Sequence, residues 1–388
     1  MTVGRSDTGK TTGRVALALA FAVTGTLFAY RFFQAGRDSL TPDGIRYLAA
    51  AQGETVDLPY NSRIVGPVIV SLVARSTGLS AHAAFDIVTA ISLLASMLLL
   101  VFMLERRGAA VGYQVAVVLA SGSAYAVFYG SYPVLVDGIL LLLTCLLILA
   151  LDYDRLALAL VAVCVAALTK EYGALLALPW AVHARKRSKI YVAALLPFAL
   201  VIGAALLSPA RPGVYTSHEA FVISQLKYQA FWLYPEYFFS FLKLAYFWAW
   251  GAAWPLLLFS VSVVLNKFVS RSALTMDEMR FLAVLVACPI LLTGDWDRTF
   301  MLVTPFACIT AMASPLTREL RFTLLLGAGG LATSMARSYY FSSNAGNVLP
   351  GAYKVVPLTV GIAASALLAI IWCRESIRIL RAEREKKN

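Results

Sequence analysis

The residues of this sequence that could do chemistry are charged side chains placed beside long apolar segments. The chain has 388 residues, of which 60% are hydrophobic and only 14% are charged. An ionisable side chain in or next to a membrane-spanning segment is costly, so each one requires a partner or a function. Together with one tyrosine, the candidates are Asp43, Arg46, Tyr47, Arg63, Asp137, Lys170, Glu171, Asp297 and Arg298.

Asp43 lies at a predicted helix start. It follows Thr41 and Pro42, a capping hydroxyl and a proline suited to the first helical turn. A carboxylate in the first turn is also favoured by the helix dipole, so a purely structural role stays open. A carboxylate that is partly desolvated can instead remove a proton or orient a hydroxyl. Arg46 lies one turn further on, close enough to pair with Asp43 or to bind a phosphate.

Three other cations have the chemistry to bind a phosphate. They are Arg63, Lys170 and Arg298. Arg63 opens a moderately apolar segment and could equally anchor that segment at the membrane interface. Lys170 and Glu171 are adjacent opposite charges, which could simply neutralise each other.

Continuous apolar segments predict the elements that carry these residues. Mean hydropathy is +0.75, and apolar runs of roughly 17 to 25 residues are long enough to cross a bilayer as helices. The runs do not alternate in polarity, so an all-α polytopic membrane protein is predicted rather than a barrel. About twelve transmembrane helices are expected, near residues 15–33, 83–104, 110–129, 134–151, 156–170, 172–183, 190–207, 245–265, 281–293, 299–314, 322–336 and 355–372.

The distribution of basic residues predicts the orientation of a single membrane domain, 1–388. Most of the 33 Lys and Arg fall on one side if both termini, 1–14 and 373–388, are cytoplasmic. A first outer loop, 34–82, then holds interfacial amphipathic helices, and an aromatic outer loop spans 208–244. All candidate residues gather at the outer face of the cell membrane. This topology explains the net charge of +12, so a partnership with membrane lipids and not with nucleic acid is expected.

The segment GRSDTGKTT, residues 4–12, matches the letters of a phosphate-binding loop. A working loop lies between a buried strand and a helix whose N-terminus receives the phosphates. Only three residues precede Gly4, and a predicted membrane helix follows Lys10. We therefore predict no nucleotide at 4–12 and interpret its basic residues as the cytoplasmic flank of the first span.

The order of these pieces resembles the GT-C superfamily of membrane glycosyltransferases, such as aminoarabinose transferases and protein O-mannosyltransferases. The similar segments, in chain order, are PDGIRYLAAAQG, RIVGPVIVSLVARSTGLSAHAAF, LVDGILLLL and LTKEYGALLALPW, with DWDRTFMLVTPF as a weaker match. The likeness covers roughly residues 15–183. The first loop departs from the family pattern in having Asp43 alone where a pair of acids is usual, and no large soluble C-terminal domain is expected from this sequence.

The resemblance implies an inverting transfer of a sugar from a polyprenyl-phosphate donor to a lipid, glycan or protein acceptor at the outer face. It implies Asp43 as the base. The donor phosphate-binding residues would be Lys170, Arg63, Arg298 and Arg46, and the residues that hold sugar or acceptor or support the cations would be Glu171, Asp137, Asp297 and Tyr47.

One acid where the family usually has a neighbouring pair favours a site without a divalent metal, although some members of the superfamily use one. The main alternative is a multi-span transporter or a lipid or glycolipid flippase, which about twelve spans and charges near the membrane suit equally well. A transporter, however, typically places its charges near the bilayer midplane, whereas these are predicted at the ends of spans. A polysaccharide polymerase or ligase is a third possibility.

Overall fold

The computed structural model describes residues 7–35, 40–185, 188–208, 254–290, 302–343 and 352–385, and helices are the only regular secondary structure in these ranges. The α-helices are α1 (Asp7–Ala35), α2 (Pro42–Ala51), α3 (Val65–Thr77), α4 (Ala81–Arg106), α5 (Val111–Val117), α6 (Ser123–Ser131), α7 (Asp137–Asp152), α8 (Leu156–Thr169), α9 (Ala177–Ala184), α10 (Leu196–Leu207), α11 (Trp254–Val269), α12 (Met276–Ile290), α13 (Val303–Ala311), α14 (Leu320–Ser343) and α15 (Ala352–Glu385). Turns of 3-10 helix cover Tyr60–Ser62, Glu171–Leu176, Ser188–Leu195 and Pro315–Arg318, and a π-helical turn, Val118–Gly122, joins α5 to α6.

Long apolar helices identify a membrane protein. Within the described ranges, four helical stretches are long and apolar enough to cross a bilayer: Gly13–Phe33, Ala81–Arg106, Val111–Ser131 and Thr359–Arg378. Several shorter apolar helices accompany them. The all-helical prediction is therefore confirmed for the described residues, whereas the count of twelve spans stays a prediction.

The short helices have a local cause in the sequence. Lys170 adopts an extended backbone, with φ −159° and ψ 138°, and ends α8. A 3-10 turn over Glu171–Leu176 then leads directly into α9. The predicted spans 156–170 and 172–183 are thus two helices joined by a tight turn, and this turn carries two of the candidate site residues.

Two short helices occupy the predicted first outer loop. Thr41 caps α2 by accepting a hydrogen bond from the Gly44 N–H at 3.0 Å, as the sequence predicts. α3 packs against the segment before α7 so closely that a Cβ at Gly66 would overlap the side chain of Val136. This packing holds the loop helices against the start of α7, where Asp137 lies.

A cluster of ion pairs lies at the opposite end of α7. Asp152, at the last turn, accepts hydrogen bonds from Arg107 at 2.7 Å and Arg280 at 3.0 Å. Both arginines also pair with Asp277 at the start of α12. Because 15 residue steps of about 1.5 Å separate Asp137 from Asp152 along α7, their backbones are about 22 Å apart.

The phosphate-loop letters fall mostly inside α1. Helix α1 begins at Asp7, so the backbone of the Gly-Lys-Thr triplet at 9–11 is helical and continuous with the apolar stretch that follows. A phosphate loop instead requires non-helical backbone in front of its helix. The geometry of the described part, 7–12, therefore differs from that of a nucleotide-binding loop.

Candidate active site

The candidate site is a continuous set of polar side chains where α2, the Tyr60–Ser62 turn, the Glu171–Leu176 turn and the start of α7 meet. Each carboxylate and each cation in it has a partner from another part of the chain. The set contains three ion pairs, Arg63–Glu171, Lys170–Asp137 and Arg46–Asp57, and Tyr60 connects Asp43 to two of their cations.

Arg63 and Glu171 form the first ion pair. Arg63 Nε donates to Glu171 Oε2 at 2.8 Å, and Nη2 donates to Oε1 at 2.5 Å, which is a two-bond fork. A third donor, Nη1, binds the hydroxyl of Tyr47 at 2.7 Å. Burial alone would lower the pKa of Arg63, but the Glu171 carboxylate, followed by Tyr47, outweighs burial and raises the pKa well above its ordinary value. The guanidinium is therefore a fixed positive charge.

Lys170 and Asp137 form the second pair. Lys170 Nζ donates to Asp137 Oδ1 at 3.1 Å, and the lysine side chain is 0% exposed. The hydroxyl of Tyr172 donates to the same carboxylate oxygen, and the Tyr172 ring lies 4.6 Å from Nζ. The sequence left open that Lys170 and Glu171 neutralise each other. This possibility is wrong, because Lys170 pairs with the Asp137 carboxylate and Glu171 pairs with the Arg63 guanidinium. The extended backbone at Lys170 separates their side chains.

Tyr60 connects Asp43 to the cations. Its hydroxyl donates to Asp43 Oδ1 at 2.5 Å. Its ring lies between two guanidinium groups, 5.0 Å from that of Arg46 and 4.8 Å from that of Arg63. Burial, and then the Asp43 carboxylate, raise the pKa of Tyr60 well above its ordinary value. The phenol therefore stays protonated and remains a hydrogen-bond donor to Asp43.

Arg46 has a different partner from the predicted one. Its Nε donates to Asp57 Oδ1 at 2.7 Å, and Nη1 donates to the carbonyl of Pro42 at 3.0 Å. The sequence offered Asp43 or a phosphate as the partner of Arg46; the acid that it binds directly is Asp57, because the loop after α2 folds back, and Asp43 adds a smaller contribution than Asp57 to the raised pKa of Arg46. Arg46 keeps 27% of its side chain exposed, against 6% for Arg63.

The backbone of the Lys170–Glu171 turn is held by close packing. A Cβ at Gly173 would overlap the carbonyl of Ala166 in the last turn of α8. The Gly173 N–H also donates to the carbonyl of Lys170 at 2.8 Å. Glycine is therefore required for the 3-10 turn to fold back on α8 and direct its first two side chains at separate partners.

Seven of the nine predicted site residues come together in this arrangement. They are Asp43, Arg46, Tyr47, Arg63, Asp137, Lys170 and Glu171. Asp297 and Arg298, like the aromatic loop 208–244, lie outside the described residues. Among the described residues, no three His, Cys, Asp or Glu side chains are grouped so that they could hold a metal ion.

Sequence reasoning missed three residues of this set: Asp57, Tyr60 and Tyr172. Each is an ordinary loop or turn residue in sequence, and only its contact with a charged partner distinguishes it. It also missed Arg31, which is buried near the end of α1 and donates to the Ser131 hydroxyl at 3.0 Å. Arg31 could have been recognised from the sequence, because an arginine inside an apolar span requires a partner.

Comparisons with known proteins add one likeness. No family model matches the chain, and no curated protein sequence is significantly similar to it. The fold is similar to that of ArnT from Cupriavidus metallidurans. The likeness to that crystal structure, of the apo state, covers 96% of this chain and 73% of the other, with a TM-score of 0.48 and 17% sequence identity.

Proposed function

We propose that the protein is a membrane glycosyltransferase of the GT-C type. It moves a sugar from a polyprenyl-phosphate donor to a hydroxyl of a lipid, glycan or protein acceptor at the outer face of the cell membrane. The observation that carries the proposal is the Arg63–Glu171 fork, linked through Tyr60 to Asp43 and next in sequence to the Lys170–Asp137 pair. The carboxylate of Asp43 and the cations of Arg63 and Lys170 thus lie at one end of the helices.

The chemistry of sugar transfer requires these two kinds of group. The acceptor oxygen bonds to the anomeric carbon while the bond from that carbon to the donor phosphate oxygen breaks. The acceptor proton passes to a base, and the leaving phosphate takes the bonding electrons and gains negative charge. A positioned carboxylate can receive the proton, and preorganised cations stabilise the charge that develops on the phosphate.

Asp43 is the proposed base. Tyr60 fixes its carboxylate by donating to one oxygen, and Thr41 and Pro42 fix its helix. Attack by the acceptor on the face opposite the leaving phosphate inverts the anomeric configuration. A carboxylate is a weak base towards a sugar hydroxyl, so its main contribution is to orient that hydroxyl and take the proton as the new bond forms.

Arg63 is suited to the leaving phosphate. A guanidinium has five N–H donors, and the hydrogen bonds to Glu171 and Tyr47 use three of them. The remaining donors can bind phosphate oxygens without breaking the fork. Glu171, with 24% of its side chain exposed, lies on the accessible side of the pair.

The other proposed roles follow from charge and position. Lys170 adds a second positive charge to the donor phosphate region, and Asp137 and Tyr172 hold its ammonium. Arg46 is the more exposed cation and is proposed for the outer oxygens of the phosphate. Arg298 is proposed as a further phosphate ligand and Asp297 as its support, while Tyr47 positions Arg63. No metal ion is required in this scheme.

Transfer of a radiolabelled sugar by membranes and by purified protein tests the proposal. A panel of polyprenyl-phosphate sugars is offered with a lipid or glycan acceptor mixture. We expect Asp43→Asn to lower kcat by at least about a hundredfold, the lower range for loss of a general base. Asp154→Asn is the matched control, since Asp154 is half exposed at the opposite end of α7 and asparagine tolerates its positive φ of 57°.

Two outcomes contradict the proposal. Full transfer activity of Asp43→Asn would exclude this carboxylate as the base. Uptake or flipping of a labelled lipid by reconstituted protein, without any transfer of sugar, would instead indicate a transporter or flippase.

A further inference from the structure

A cavity lies away from the candidate active site. It has a volume of about 410 Å³, within the range of small-molecule sites. It lies between the second half of α11, the start of α12, residues 313–316 and the stretch of α15 around Trp372. The walls include Phe259, Ser262, Lys267, Trp372 and Glu375. We call this cavity the α11–α15 pocket.

The α11–α15 pocket belongs to the end of the bundle that carries the Asp152 ion cluster. It reaches the start of α12 at Glu278, next to Asp277, which pairs with Arg107 at the Asp152 end of α7. It also lies near the polar end of the apolar stretch Thr359–Arg378. The polar ends of such helices lie at the level of the lipid headgroups, so the pocket opens where headgroups are abundant.

The pocket has an apolar interior. Phe259 and Val263 are buried on α11, and Leu316 is buried opposite them. The Trp372 ring adds a further apolar surface, while its indole N–H donates to the Ser262 hydroxyl. Ser262 Oγ is also 3.4 Å from the hydroxyl of Ser376. A ligand that is apolar at one end and polar at the other matches this arrangement.

The charges at the mouth are of both signs. Lys267 takes part in no ion pair among the described residues. Glu375 pairs only loosely with Arg378, at 3.5 Å, and Arg378 is 80% exposed. The second glutamate of the pocket, Glu278, is buried and accepts the Thr275 N–H at 2.7 Å. One lysine and two glutamates therefore line the pocket, so a ligand with only negative charge would be repelled by the carboxylates.

We propose that the α11–α15 pocket binds the headgroup of a phospholipid whose headgroup is an ethanolamine phosphodiester. The phosphate lies against Lys267 and the hydroxyls of Ser270 and Ser272, which also line the pocket. The primary ammonium lies against Glu375, and the glycerol and first acyl carbons lie against Phe259 and Trp372. A trimethylated choline has no N–H to donate to a carboxylate, and glycerol has no positive charge, so both headgroups bind more weakly.

Native mass spectrometry of the full-length protein in detergent tests this proposal. Ethanolamine, choline and glycerol phospholipids with identical acyl chains are added at equal concentration. We expect the ethanolamine lipid to bind about tenfold more tightly than the other two, the effect of one charged hydrogen bond. Lys267→Gln should weaken its binding about tenfold, and Glu375→Gln should remove the preference for ethanolamine over glycerol.

Arg318→Gln is the matched control, because Arg318 is exposed beside the pocket and does not line it. Both pocket variants alter partly exposed side chains, and the thermal unfolding midpoint of each variant checks that it folds. Equal binding of ethanolamine and glycerol lipids by the unaltered protein, or equal losses in Arg318→Gln and Lys267→Gln, would overturn the proposal. If soluble glycerophosphoethanolamine bound as tightly as the lipid, the ligand would not have to be a membrane lipid, and that part of the proposal would be wrong.

Discussion

Arg63 and Glu171 lie 108 positions apart in the sequence and are joined by two hydrogen bonds, from Nε to Oε2 at 2.8 Å and from Nη2 to Oε1 at 2.5 Å. Removal of one partner from a buried ion pair leaves an uncompensated charge. We expect Arg63→Ala to lower the free energy of unfolding by about 3–5 kcal/mol. Arg63→Lys should cost less, because it keeps the charge and loses only the two-bond geometry.

Denaturant unfolding of purified protein in detergent measures these changes. Arg46→Ala is the control, since the pair of Arg46 with Asp57 is more exposed and is expected to contribute less than about 1 kcal/mol. The fork would not be a main link between the first loop and the Glu171 turn if Arg63→Ala and Arg46→Ala had the same effect.

We expect substitutions of Lys170 and Asp137 to have strongly non-additive effects on the free energy of unfolding. Lys170→Met alone leaves a buried carboxylate without its cation, and Asp137→Asn alone leaves a buried ammonium. In the double variant neither charge is present, and the asparagine oxygen can still accept from Tyr172. The double variant should therefore be more stable than Lys170→Met, with a coupling of about 1–3 kcal/mol. Additive losses in the same unfolding experiment would contradict a direct interaction between the two side chains.

Substitution of Tyr60 should change the rate of sugar transfer without unfolding the protein. Tyr60→Phe removes the donor to Asp43 and keeps the ring between Arg46 and Arg63. We expect kcat for sugar transfer to fall about tenfold, which corresponds to the loss of one hydrogen bond to a charged group. Because the pKa of Tyr60 is raised above its ordinary value of about 10, the phenol is neutral from about pH 6 to 9. The tenfold ratio of kcat between the unaltered protein and Tyr60→Phe should therefore be constant over this range.

Tyr153→Phe serves as the control for Tyr60→Phe, because Tyr153 lies at the opposite end of α7 and is half exposed. A change in KM alone, with kcat unaltered, would indicate that Tyr60 helps to bind the substrate and does not position Asp43.

The predicted orientation is tested by labelling single cysteines. The five native cysteines are replaced first, and Glu54→Cys or Arg155→Cys is then introduced at exposed positions at opposite ends of the helices. With an outer-facing site, a membrane-impermeant maleimide labels Glu54→Cys in intact cells and labels Arg155→Cys only after the membrane is opened. Labelling in the reverse order would place Asp43 on the cytoplasmic side and exclude the outer-face scheme.

Much of the local structure followed from the sequence because its causes are local. Thr41 and Pro42 specify the start of α2 through a cap and a fixed φ, and the apolar run after Ser80 specifies α4. The charged residues were also recognisable individually, since a carboxylate or a guanidinium beside an apolar helix stands out against its surroundings.

The partner of each charged side chain could not be predicted from the sequence in the same way. Helical spacing allowed Arg46 to pair with Asp43 or with a phosphate, yet the carboxylate that it binds directly is that of Asp57 in the following loop. As neighbours of opposite charge, Lys170 and Glu171 could have neutralised each other, yet Lys170 binds Asp137 and Glu171 binds Arg63. The choice depends on where distant segments meet, and a charge selects the partner that burial brings within hydrogen-bond distance.

The sequence by itself therefore determined a helical membrane protein, the start of α2 and the residue types available for chemistry, because hydropathy, capping and charge act over a few neighbouring positions. Only the tertiary structure decided that Tyr60 connects Asp43 to Arg63 and that Arg63 and Lys170 pair with separate carboxylates. Buried charges are stable only in specific pairs, and those pairs depend on contacts between segments about a hundred residues apart, such as Arg63 and Glu171.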